Sequence, residues 1–210
     1  MANRSYLYST DHRPGAEPVG MPHQPRGISE WNYDIPLVFK LLVSGNVTIS
    51  RSAIWPDAGE IALMGGYDEG VVRLDAFLER ITLAEAQPLV EQAKAFLKAS
   101  TNRGRYFLLE PGEILEMNDE PLSEQNLRLH DSIRKMEAEV EAALETLTIL
   151  PRAARARQGF LARVFGRTPR AREPAVDPLA SVRSVGLGHW SNQLYYTLDH
   201  SGAASEALGK

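Results

Sequence analysis

At 210 residues, with 43% hydrophobic and 24% charged side chains, the chain has the make-up of one globular domain able to bury a real core. A formal charge of −4 and a pI near 5.8 argue against nucleic acid as a partner of the whole surface. The lack of cysteine excludes disulfides, thiolate metal sites and a cysteine nucleophile. No apolar run approaches the ~20 residues that cross a bilayer or resembles a signal peptide, so a cytoplasmic protein is expected.

Residues 3–9 read as a strand with Tyr6 and Tyr8 on one face and Leu7 on the other. Residues 11–27, with four prolines and three glycines, read as a loop. A helix follows, capped by Asp34, with Pro36 in its first turn, Leu37, Val38, Leu41 and Leu42 inward, and a stop at Gly45-Asn46. Val47 and Ile49 alternate with polar residues, and Ile61–Met64 runs as a strand into a tight turn at Gly65-Gly66. The pattern then predicts a short helix over 75–81 and a second one to about Lys98, opened by the capping box Thr82–Glu85 and disturbed by Pro88. Tyr106–Leu109 reads as a buried strand, ended by Glu110-Pro-Gly-Glu113. The longest helix is expected over 123–150, on the spacing of Leu129, Ile133, Met136, Val140, Leu144 and Leu147. A late strand falls within 188–198 and a frayed, disordered tail over 201–210. Strands at both ends with helices between them predict an α+β fold, a mostly antiparallel sheet packed with several helices. The expected organisation is one domain over 1–200, with 151–178 a basic, flexible insertion before the last strand.

That insertion is the chain's most uneven feature. Arg152, Arg155, Arg157, Arg163, Arg167, Arg170 and Arg172 fall in a stretch without an acid, and the remaining 16 Lys/Arg (23 less these 7) face 27 Asp/Glu, a charge of −11. Four readings stand side by side. The arm could bind phosphates of RNA. It could form a short amphipathic helix, with Phe160, Leu161, Val164 and Phe165 on one face, for an anionic membrane or a partner groove. It could pair with the protein's own acids, or be a solvated loop. Arg157, Phe160, Arg163, Val164 and Arg167 are its candidate contacts.

The acidic counterpart spans 110–145, with 11 acids against Arg128, Arg134 and Lys135, a balance of −8. Glu113, Glu116, Asp119 and Glu120 cluster in a predicted loop, where binding residues concentrate, and they suit a basic partner. The plainer reading is a soluble surface. The five histidines are scattered, without HxH or HExxH spacing, so no metal or cofactor is expected. No G-x-S-x-G, S-x-x-K, P-loop or G-x-G-x-x-G occurs, and no catalytic residue is assigned. Trp31, Tyr33, Trp55, Tyr67, Trp190, Tyr195 and Tyr196 read as core anchors before they read as a pocket.

The opening Met1–Ser9, the stretch Gly27–Pro36 and the phrase Leu109–Glu113 resemble a group of uncharacterised bacterial proteins associated with toxin–immunity systems of interbacterial competition. The likeness covers roughly 1–150 and the Trp190 strand, and it carries over no functional residue. It implies an immunity protein that binds and neutralises a toxin with a basic surface. The alternatives are a hydrolase with a carboxylate and a histidine brought together by folding, and an anionic-surface binder, of membrane or RNA, acting through the arginine arm.

Overall fold

The computed structural model describes residues 2–16, 25–147, 179–198 and 204–206. Its centre is an antiparallel sheet of five strands: β1 (Arg4–Thr10), β2 (Arg26–Asn32), β3 (Thr48–Ser50), β4 (Ala62–Gly66) and β5 (Tyr106–Glu110), in the order β2-β1-β5-β4-β3. The fold is α+β, with helices on the sheet as expected. Strand alternation divides the buried residues cleanly. Leu7, Leu63, Phe107 and Leu109 join the helix-side core, while Tyr6, Tyr8, Met64 and Leu108 build a second, aromatic cluster on the other face. The predicted split of Tyr6 and Tyr8 from Leu7 is the one observed.

β2 occupies a stretch without the regular alternation of a strand. Its pairing with β1 shifts register between Leu7 and Tyr8, whose partners are Ser29 and Gly27, so Ile28 is an extra residue in the ladder. That bulge breaks the apolar–polar alternation by which a strand is recognised.

The helices are α1 (Leu37–Val43), α2 (Tyr67–Glu79), α3 (Gln87–Lys98), α4 (Gly112–Leu115), α5 (Leu122–Ile133), α6 (137–147) and α7 (Ala180–Ser184). Three helix starts differ from expectation. Gly65-Gly66 is not a turn: β4 runs straight into α2, which begins at Tyr67 and not near Asp75. Gly70 hides the early turns of α2 from a hydrophobicity reading, yet it is required there, because a Cβ on it would overlap the Leu42 carbonyl oxygen of α1. The Thr82–Glu85 box does not form; Ala84–Ala86 is a 3-10 turn and α3 starts at Gln87 with Pro88 in its first turn. Asp34 does not cap α1 either. Its carboxylate accepts the Ile35 N–H (2.7 Å), Pro36 stands at the N-cap, and the Val38 N–H donates to the Val185 carbonyl (2.9 Å).

The expected long helix is two helices. Residues 134–136 form a turn in which Lys135 N–H donates to Ser132 O (3.0 Å), and the Ser132 hydroxyl donates back to Leu129 O (2.7 Å), a bond that bends helices. The break lets each piece pack differently. α5 touches β3, β4 and α4, whereas α6 lies on α1 and α2, where Glu139 pairs with Lys40 and Glu141 with Arg80.

Residues 179–198 strap the two faces together. Val182 and Leu187 are fully buried in the helix-side core, and Leu194 and Leu198 in the aromatic one. Between them the strap lines the outer edge of β2, through a Ser29–Trp190 bridge and a Ser191 N–H to Ile28 O bond (3.1 Å). The late strand is therefore short: only β6 (Tyr196–Leu198) is regular, and it pairs with β7 (Ala204–Glu206), inside the stretch expected to be a disordered tail. The insertion 151–178 lies outside the described residues.

Candidate functional site

The acidic cluster sits where β5 ends and α5 begins, on α4 and the turn after it. Gly112 opens α4, and the Trp55 ring packs where a side chain on it would be. The four predicted acids do not share one environment. Glu113 is turned inward: its carboxylate accepts the Arg4 N–H (2.7 Å) and the Tyr6 hydroxyl (3.1 Å), which ties α4 to the start of β1. Glu116 and Asp119 are exposed, and Glu120 is exposed and paired with Arg128. The Glu120 carbonyl accepts the Gln125 side-chain amide (2.7 Å), which fixes the turn against α5. Glu124 is exposed on the same corner, as are two large apolar side chains, Met117 (51%) and Leu127 (50%). The exposed side chains of this stretch are thus Glu116, Met117, Asp119, Glu120, Glu124 and Leu127, with Glu113 turned inward.

Behind this corner lies a carboxylate that sequence reasoning passed over. Glu110 ends β5 opposite Tyr6 of β1, on the aromatic face, with no exposed surface. Its oxygens accept the Ser52 hydroxyl (2.7 Å) and the Ala53 N–H (2.6 Å), with a further bond from the Ile54 N–H. Burial pushes its pKa up to about 7, and the three hydrogen bonds pull the other way. Burial likewise raises the Tyr6 hydroxyl, with the nearby Glu113 charge adding to it, and raises Tyr8. The available signal was strand alternation, which sets Glu110 on the same side as Leu108. What the sequence lacks is any sign of the chain segment 52–54 that closes over it.

A cleft of about 530 Å³ opens where β4 enters α2. Arg13, Arg103 and Arg105 line it together with Asp68 and Glu69. Asp68 pairs with Arg103 (2.7 Å), and both acids stand in the first turn of α2, where they already meet the positive end of its dipole. Three guanidinium groups against two carboxylates leave its lining with a formal charge of +1. Among the described residues no group of three or more His, Asp or Glu could hold a metal ion, and no helix is long and apolar enough to cross a membrane. Arg157, Phe160, Arg163, Val164 and Arg167 lie outside the described residues.

Residues 11–149 match the profile of a domain of unknown function, DUF7822. The chain belongs to that family. Comparison with curated proteins finds no match, and comparison with solved structures finds none either. The matched stretch holds the acidic corner, Glu110 and the 530 Å³ cleft. It leaves out β1, which runs between β2 and β5 in the sheet, and the strap 179–198.

Proposed function

We propose that this is a cytoplasmic protein that acts by binding another protein, and that in its most concrete form it is a bacterial immunity protein, neutralising a cognate toxin by covering a basic surface on it. The observation that carries the reading is that Glu116, Asp119, Glu120 and Glu124, together with Met117 and Leu127, are all exposed within residues 116–127. Exposed apolar side chains beside charged ones are common in protein interfaces, and the excess of negative charge, four acids against Arg128, speeds association with a cation-rich partner. Glu110 is the residue a hydrolase reading would use. Its lack of exposed surface and its three bonds to Ser52–Ile54 support a structural carboxylate instead.

The test is a titration of the partner co-purified from native cells against the chain and against Glu116→Lys/Asp119→Lys/Glu120→Lys. Loss of a buried or rim charge contact at an interface ranges from rate effects to several kcal/mol, so a tenfold or greater weakening is expected. Unchanged affinity would remove this corner from the interface.

A further inference from the structure

Every donor around Glu110 points at it. Ser52 Oγ–H donates to Oε2 (2.7 Å) while its own oxygen accepts the Trp55 N–H (2.8 Å); Ala53 N–H donates to Oε1 (2.6 Å) and Ile54 N–H adds a third bond. This is the solvation shell of an ionised carboxylate. Yet no cation completes it among the described residues. From β1 the facing titratable groups are Tyr6 and Tyr8; from α4 it is Glu113, already taken by Arg4 N–H and Tyr6; beyond the aromatic cluster it is Tyr196. Arg51, next to the turn, is exposed and spends its guanidinium on the Pro56 carbonyl (3.3 Å). Asp57 and Glu60, in the same loop, are exposed acids. The ionised form therefore lacks a counter-charge, and the protonated form finds an acceptor for its O–H only if the Ser52 hydroxyl turns. Each state is penalised for a different reason, so modest changes in proton activity decide between them.

The turn that Glu110 grips seats Trp55. The Trp55 ring packs on Gly112 and meets the Tyr196 ring edge-on (5.7 Å between centroids), and the Tyr196 carbonyl accepts the Tyr8 hydroxyl (2.8 Å). We propose that Glu110 is a proton-operated latch on the Ser52–Trp55 turn: proton uptake turns the Ser52 O–H away from Oε2 so that its oxygen accepts the new O–H, which makes that oxygen the acceptor of two bonds, weakens the one from Trp55 N–H, and loosens Trp55 from the β6 side of the aromatic face. No bond other than the O–H of Glu110 is made, and the proton comes from solvent. Ser52 is the group that can turn, because a hydroxyl donates and accepts whereas the Ala53 and Ile54 amides only donate.

The experiment follows Trp55 emission between about pH 5 and about pH 9, in the chain carrying Trp31→Phe and Trp190→Phe, alongside the carbon-13 shift of the Glu110 carboxyl in the unsubstituted chain. Both are expected to change together with a midpoint near 7. Glu110→Gln should flatten the Trp55 response. Ser52→Ala, which removes one donor from the ionised form, should move the carboxyl midpoint upward, and this arm decides if Glu110→Gln does not fold. A Trp55 transition that persists in Glu110→Gln, or a Glu110 titration that leaves Trp55 unmoved, overturns the latch, as does a carboxyl that does not titrate in this range.

Discussion

Glu110 makes a stability statement as well as a local one. Its pKa is near 7 when folded, against 4.5 for an ordinary glutamate, so between those values the folded chain holds a proton that the unfolded chain has released. Stability attributable to this group is therefore highest below about pH 4.5 and falls as pH rises toward 7, then levels off. The shift corresponds to roughly 3 kcal/mol. Urea melts at a series of pH values should show the decline, and Glu110→Gln should remove it; a decline of equal size in that variant would assign it elsewhere. Two other positions are held by local contacts. Glu113→Ala strands the Arg4 N–H and the Tyr6 hydroxyl, at a cost of about 1–3 kcal/mol for each group left without a partner or water. Gly70→Ala drives a methyl into the Leu42 carbonyl where α1 and α2 touch, and overpacking of that kind costs about 1–3 kcal/mol or more, because the obstacle is backbone and cannot turn aside. Thermal melts of both variants measure these losses.

At the scale of elements, the strap is the part whose removal should cost most. Val182, Leu187, Leu194 and Leu198 are buried in two cores, and full burial of such side chains contributes about 1.5–3 kcal/mol each. Their sum rivals the whole stability of a domain. A chain ended at residue 178 is expected to lose its cooperative urea transition and to bind a hydrophobic dye; an unchanged midpoint would show that the strap only rests on the surface. The sequence announced some of this and hid the rest, for physical reasons. Tyr6, Leu7 and Tyr8 carry plain two-residue alternation, so β1 and the face each residue takes were legible. Tyr106–Leu109 was legible as a compact apolar run. β2 was not, because the bulge at Ile28 interrupts the alternation, and its outer edge is covered by residues some 160 positions later, at Trp190 and Ser191. The apolar spacing from Leu129 to Leu147 continues unbroken through the α5–α6 turn, and only the Ser132 back-bond reveals the bend. The candidate site divides in the same way. Glu116, Asp119 and Glu120 are exposed as a charged loop should be, whereas the inward turn of Glu113 depends on Arg4 and Tyr6, more than a hundred residues away.

For the molecule as a whole, the proposed binding by an acidic corner should be separable from stability, and that separation is measurable. Glu116, Asp119 and Glu120 are exposed, and the one described ion pair among them, Glu120 with Arg128, is a surface pair worth at most about 1 kcal/mol. Reversing all three changes the formal charge from −4 to +2, since each reversal adds two units. The variant should therefore melt within a few degrees of the parent chain while losing the electrostatic part of its association rate. Because exposed charges are screened within about 8–10 Å at physiological salt, the parent's association rate should fall steeply as salt is raised from low values, and the variant's should not. Stopped-flow association with the co-purified partner across a salt series reads both slopes. Parallel slopes would mean that the net charge of the body, and not this corner, steers the encounter. A lost slope together with an unchanged melting temperature would localise the steering to the turn between α4 and α5, in a part of the chain that the fold does not need for its own sake.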